Sequence, residues 1–437
     1  MLGFREAWSA TVKPNADLNN EFAGVAASLR VPLEPDDPRP TRLPLRLPGV
    51  TQRTLVAKSI WDRIDVNKRQ RRGTHAALFA GAMHSTAYEL ARCPVCNSAD
   101  SEEIAGTEEI RDEMEALWAF HTRRLRDDTP PERLTDRIAF SQAPPLRLVR
   151  CARCETVYRN PKERAFEVID AYESETPTIE TLQSLHDTQR GAVAGQLSRL
   201  TDVARRAGRG LEVGSYAGGF LEAARQAGWQ FEGLDINDAA NDFTRSLGFT
   251  VTTGDLASFR TDTPFDAVTV WNCFDQLPDP RAASHSIHAL LRPDGVLAIR
   301  VPNGAFYSAV RRRLDGIAAP VARTLLAHNN LLGFPYRHGF TVQSLTLLLE
   351  DTGFEVVRTH GDSLVPIADE WTRGWAAAEE RMIKTAVKAL AALDSDGAPW
   401  FEVYAKRDEY TDGARHALGG HVRSAQPERP RRRPRGA

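Results

Sequence analysis

A chain of 437 residues is long enough for two or three domains. With 42% hydrophobic and 26% charged residues it reads as an ordinary globular protein, and a formal net charge of −2 gives the whole molecule no pull towards nucleic acid or an acidic membrane. No apolar run approaches bilayer-spanning length, and "MLGFREAWSATVKPN" lacks the basic end and apolar core of a secretory leader, so a cytoplasmic protein is expected.

Residues 1–90 form a poorly defined segment. "VPLEPDDPRPTRLPLRLPG" (Val31–Gly49) is too rich in proline for a helix or central strand and reads as a linker or surface wrap, while Thr74–Ala91 suits a short helix. Residues 91–177 are bracketed by two C-x-x-C pairs, "CPVC" and "CARC". Between them Ile110, Met114, Leu117 and Trp118 are spaced for one apolar helix face, which predicts a helical insertion.

Residues 178–408 are expected to be one α/β domain. Thr178–Gly208 suits one or two helices, after which "GLEVG", "QFEGLDI", "FTVTTGD", "FDAVTVWN" and "GVLAIRVPN" read as strands separated by helices. That alternation predicts a Rossmann-like doubly wound sheet with right-handed crossovers. After an irregular insert from Gly304 to about Pro335, Thr341 can cap a helix that Gly353 stops, and "FEVVRTH" and "WFEVYAKR" supply two more strands around a further helix. The sheet is expected to be mostly parallel with an antiparallel last strand. Residues 409–437 end in "PERPRRRPRGA", a polar basic tail expected to be disordered.

The four paired cysteines, Cys93, Cys96, Cys151 and Cys154, can place four thiolates in a tetrahedron around zinc, a closed set whose role would be folding. A redox dithiol or four buried thiols are the alternatives. A left-handed residue often follows each pair; Asn97 suits it and Glu155 does not. Cys273 stands alone and suits a core or crevice position.

The turn "LEVGSYAGGF" carries Gly214 and Gly218, but the position where a dinucleotide's pyrophosphate needs a second glycine is Tyr216. A side chain there is less harmful to a ligand without phosphate. Around the turn, Glu212 lies on the first strand, Asp235 ends the second with the spacing to accept two ribose hydroxyls, Asp255 ends the third, and Asn272 ends the fourth.

In the order of these motifs, from about Gly208 to Arg407, the chain resembles the class I S-adenosylmethionine-dependent methyltransferases. The resemblance implies that Glu212 faces the methionine ammonium, that Gly214 and Gly218 let S-adenosyl-L-methionine approach, that Tyr216 lines its methionine end or walls the substrate, and that Asp235 and Asp255 meet ribose and adenine. "CARCETVYRNPKERAFEVIDAYESE" is similar to a run in bacterial methyltransferases with an N-terminal zinc ribbon, sugar C-methyltransferases among them. It implies a small-molecule or sugar-type acceptor, methylated at carbon or oxygen.

Methyl transfer needs alignment and, for many acceptors, a base with a pKa near neutral. Relatives carry a histidine before an aromatic-Ser/Thr pair, which points to His338 of "YRHGFT" as the base. Asp275 stands where many relatives carry Glu-His and is a possible partner. Tyr336, Arg337 and Asn303 suit pocket walls. A dinucleotide-dependent oxidoreductase and a non-catalytic zinc, cofactor or nucleic-acid binder are the alternatives; only the tail favours nucleic acid. The sequence leaves the oligomeric state open.

Overall fold

The computed structural model describes residues 88–129, 145–166, 169, 173, 177–334, 337–364, 368, 370–391 and 394–408. The proline-rich segment, most of Thr74–Ala91, Tyr336 and the basic tail lie outside the described residues.

The N-terminal part is built from short strands: β1 (Tyr88–Glu89), β2 (Ser101–Ala105), β3 (Leu148–Cys151), β4 (Val157–Arg159) and β5 (Lys162–Glu163). β1 pairs with β5, and β2, β3 and β4 form an antiparallel meander. The expected helical insertion is α1 (Thr107–Arg124), with Glu108 and Glu109 in its first turn and Arg123 and Arg124 in its last, both favourable to the helix dipole.

The larger unit opens with α2 (Ile179–Ala192) and α3 (Ala194–Ala204). It continues β6 (Arg209–Val213), α4 (Gly219–Gln226), β7 (Gln230–Asp235), α5 (Asp238–Ser246), β8 (Val251–Thr253), β9 (Phe265–Trp271), α6 (Pro280–Leu290) and β10 (Leu291–Pro302). It ends with α7 (Gly304–Arg311), α8 (Ala319–His328), β11 (His338–Gly339), α9 (Val342–Asp351), β12 (Phe354–Asp362), α10 (Gly374–Ala391) and β13 (Trp400–Arg407).

Seven strands form one sheet in the order β12-β13-β10-β9-β6-β7-β8. β13 alone runs against its neighbours; the other pairings are parallel. Alternation along the strands separates two cores. Leu211, Val268, Val270, Leu297 and Ile299 face α6 and α9, whereas Ala267, Val296, Ala298 and Tyr404 face α3 and α4. Helix α9 shows why it docks. Thr341 accepts from Ser344 N, and Leu345, Leu348 and Leu349 are fully buried at helical spacing. Each such side chain contributes about 1.5–3 kcal/mol on burial, more than any propensity difference within the helix.

Two features depart from the sequence reading. The insert after β10 is not irregular: α7 and α8 pack their apolar faces on α1, so two insertions distant in sequence share a second core around Leu117, Tyr307, Leu326 and Phe334. In addition, β11 pairs with β4, so the meander of the cysteine-bearing part is completed by residues more than 170 positions later. The functional consequence of the main sheet is its reversal of order between β6 and β9. The crevice at the carboxyl ends of those strands is where open α/β sheets hold ligands.

Candidate functional site

The turn leaving β6 is held through its backbone amides, two of which reach β7. Gly214 N donates to Leu234 O (2.8 Å), Gly218 N to Ser215 O (2.9 Å), and Tyr216 N to Asp235 Oδ2 (3.0 Å). Gly214 and Gly218 both have φ above +70°, and a Cβ at either would come within 2.6 Å of Cys273 Sγ or Thr244 Cγ2 respectively. Gly214 lines the crevice, whereas Gly218 is not among the lining residues and its need for glycine comes from α5. Tyr216 takes the left-handed conformation (φ 43°). Its side chain joins an apolar cluster with Leu182 and Leu185 of α2 and Ala240 of α5, and Thr244 Oγ1 donates to its carbonyl at 2.7 Å. The ring is therefore housed beneath α2 while the residue still borders the crevice.

Asp235, at the end of β7, accepts from Tyr216 N on Oδ2 and Asn237 N on Oδ1 (2.9 Å). Burial pushes its carboxyl up, against the pull of those amides. Each oxygen keeps a lone pair for a further donor. Glu212 is fully buried in β6, and its carboxyl has no hydrogen-bond partner among the described residues. Burial and the nearby Asp235 charge hold its pKa well above the usual carboxylate range. Asp255 borders the crevice, with Oδ1 accepting from Ser258 N at 2.7 Å.

These elements enclose a cavity of about 310 Å³. Three carboxylate side chains, Asp235, Asp255 and Asp279, border it, and among the described residues no lysine, arginine or histidine does. The sequence reading missed one wall: Gln276, Leu277, Pro278, Asp279, Ala282 and Ser286, the loop after β9 and the start of α6. The "DP" of Asp279-Pro280 was the available signal, since Asp279 caps α6 by accepting from Arg281 N (3.0 Å) and Ala282 N (2.9 Å).

The remaining expected residues fall beside the cavity. Asn272 (φ 61°) gives its side-chain oxygen to the Arg300 guanidinium. Asp275 is fully buried in the turn after β9, its carboxyl has no partner among the described residues, and burial holds its pKa well up. His338 is buried in β11. Its Nε2 lies 3.0 Å from Leu277 O, and since a carbonyl can only accept, Nε2 carries the proton. Burial, helped by the Arg337 charge, holds the ring well below its ordinary pKa. Asn303 is buried as the cap of α7 and Arg337 donates to Glu163 O; neither borders the cavity.

In the N-terminal part the four thiols converge. All four Sγ atoms lie within 4.8 Å of one another, with Cys93–Cys154 at 3.4 Å and Cys96–Cys151 at 3.5 Å, too far for disulfides. Both turns have the same geometry. Asn97 N returns to Cys93 O (3.0 Å) and Glu155 N to Cys151 O (3.1 Å). Glu155 adopts φ 61° in spite of its side chain, at a cost of about 1–2 kcal/mol. Thiolates about 2.3 Å from one tetrahedral ion sit roughly 3.8 Å apart, so the cluster matches such an ion.

Residues 185–359 match the family model for a methyltransferase domain. Over 208 residues the chain is 28% identical to the C-methyltransferase NovU of Streptomyces niveus, a match covering 44% of each chain. The chain thus spans less than half the length of that curated relative. Among solved structures, a SAM-dependent methyltransferase from Archaeoglobus fulgidus is 20% identical, with 50% of this chain and 94% of that one covered and a TM-score of 0.34. CalS10, an amino pentose methyltransferase from Micromonospora echinaspora, is 24% identical, with 32% and 58% covered and a TM-score of 0.24.

Proposed function

We propose that this chain, whose residues 185–359 match the model of a methyltransferase domain, is a class I enzyme that transfers a methyl group from S-adenosyl-L-methionine to a small-molecule or sugar-type acceptor. The observation that carries the reading is the charge of the crevice: three bordering carboxylates and no bordering cation among the described residues. A ligand with a sulfonium and an ammonium relieves that charge; a pyrophosphate would add to it. This favours the sulfonium cofactor over a dinucleotide more strongly than the glycine pattern does. When bound, S-adenosyl-L-methionine supplies an electrophilic methyl group. The chain's own part is to bind and orient the cofactor. Asp235 offers one lone pair on each oxygen to the ribose hydroxyls, and Asp255 keeps Oδ2 for the adenine amine.

Direct proton removal falls to neither Asp275 nor His338, because neither borders the cavity and Asp275 is fully buried. His338 is weakened as a base and has one nitrogen committed to Leu277 O, so it orients the loop. The name of the curated relative supports carbon as the methylated atom. The four thiols would hold a zinc ion as Cys93, Cys96, Cys151 and Cys154, a full set with no open position and hence a folding role. No helix among the described residues is long and apolar enough to cross a membrane. Soluble cytoplasmic action fits this reading.

The test is calorimetric titration of the full chain with S-adenosylhomocysteine and separately with NADH, with Asp235→Ala alongside. Binding of the first ligand alone, lost in the variant, is expected. Binding of NADH in its place would overturn the reading.

A further inference from the structure

The cysteine cluster and the cofactor crevice are distinct places, yet two hydrogen bonds join them across one short loop. Leu277, Pro278 and Asp279 border the cavity, as do Ala282, Ala283 and Ser286 of α6. At the front of this wall, Leu277 O accepts from His338 Nε2 (3.0 Å). His338 lies in β11, which pairs with β4, which pairs with β3, the strand that ends in Cys151. At the back, the guanidinium of Arg281 donates to the carbonyl of Val95. Val95 is fully buried between Cys93 and Cys96, so its carbonyl direction is set by the turn those two thiols make. The same Arg281 nitrogen lies 3.3 Å from Asp351 Oδ2 at the end of α9. Arg281 is thus the second residue of α6, fixed from three sides: by Asp279 at its amide, by Asp351, and by the first cysteine turn.

We propose that Arg281 is a positioning residue through which the four-thiol cluster, when it holds its metal, sets the affinity of the crevice for its cofactor. The inference rests on the cofactor reading above. The physical reason is that an empty cluster leaves the Cys93–Cys96 turn without the ion that draws its sulfurs together. The Val95 carbonyl then loses its fixed direction, and the first turn of α6 loses the clamp that holds it against the cavity. A charge-assisted hydrogen bond of this kind is strong enough to shift a binding equilibrium about tenfold.

The experiment compares the zinc-loaded and chelator-stripped full chain, as wild type, Arg281→Met and Arg281→Lys. S-adenosylhomocysteine affinity is read by calorimetry, and hydrogen–deuterium exchange is read at the Arg281 and Ala282 amides. Three results are expected: loaded Arg281→Met binds about tenfold more weakly than loaded wild type, Arg281→Lys recovers most of that loss, and stripping zinc weakens wild type by a similar factor while adding little in Arg281→Met. Equal affinity of loaded Arg281→Met and wild type would overturn the proposal, as would an equal effect of stripping on both. If the stripped chain unfolds, the loaded Met and Lys variants decide. If loaded wild type binds no S-adenosylhomocysteine, the cofactor reading fails, and exchange at the two amides still tests the coupling: faster in Arg281→Met supports it, unchanged overturns it.

Discussion

The second core offers a charge pair whose contribution can be worked out atom by atom. Glu113 of α1 is almost fully buried. It accepts from Arg311 Nε (2.8 Å), Gly333 N (2.9 Å) and Tyr307 OH (3.2 Å). Burial raises its pKa, and the Arg311 charge is the main force holding it down. Glu113→Leu strands a mostly buried guanidinium, a buried amide and a phenol, and should cost about 3–5 kcal/mol. Arg311→Met leaves a carboxyl that can take up a proton, so its cost should be smaller, about 2–4 kcal/mol. The double variant carries no charge at either position. Its cost should be about 2–4 kcal/mol, from the stranded Gly333 and Tyr307 groups, well below the sum of the singles. Urea unfolding of the four proteins, followed by circular dichroism, gives the cycle, and exchange at the Gly333 amide gives a local check. Additive costs would show that Glu113 and Arg311 do not act as a pair and would refute the reasoning.

Other expectations follow from the site. Glu212 and Asp275 have folded-state pKa values raised above their unfolded ones, so their contribution to stability is full below the unfolded values and is lost as pH rises through the folded ones. Ligand-free Asp275→Asn should therefore melt higher than wild type near about pH 8, with the gap closing near about pH 4; no gain at the higher pH would count against the buried charge. Gly214→Ala combines φ +75° with a contact to Cys273 Sγ, and should lose at least about 1–2 kcal/mol in thermal unfolding, with Cys273→Ala restoring only the contact part. Cys151→Ser should lower zinc content, measured by elemental analysis, from one ion per chain to a small fraction; unchanged content would remove the four-thiol set as the ligand sphere.

How far the sequence could be read follows from the range over which each feature is encoded. The main sheet was legible because each strand and helix declares itself within ten residues: Leu211 and Val213 alternate with Glu212, and Leu345, Leu348 and Leu349 fall on one helix face. Asp235 was legible because its place is fixed by the strand it ends. What escaped depends on distant partners. β11 is two residues long and has no periodicity to show. α7 and α8 are short, and their apolar residues make sense only against α1. Glu113 sits among Ile110, Met114 and Leu117, and an acid on an apolar face was the one local sign that something answers it. Glu155 was judged by intrinsic preference, which the Cys151–Thr156 turn overrides. His338 was placed by resemblance, and only the three-dimensional structure shows that its ring proton is committed to Leu277.

The strand exchange between the two parts sets an order in time. Tyr158 cannot meet His338 until about 180 more residues have been made. At about 5–20 residues per second, that leaves the cysteine-bearing meander without its fourth strand for roughly 10–35 s of synthesis. All four cysteines have been made before that interval begins. The first half of the chain must wait, open-edged, for the second half to finish it.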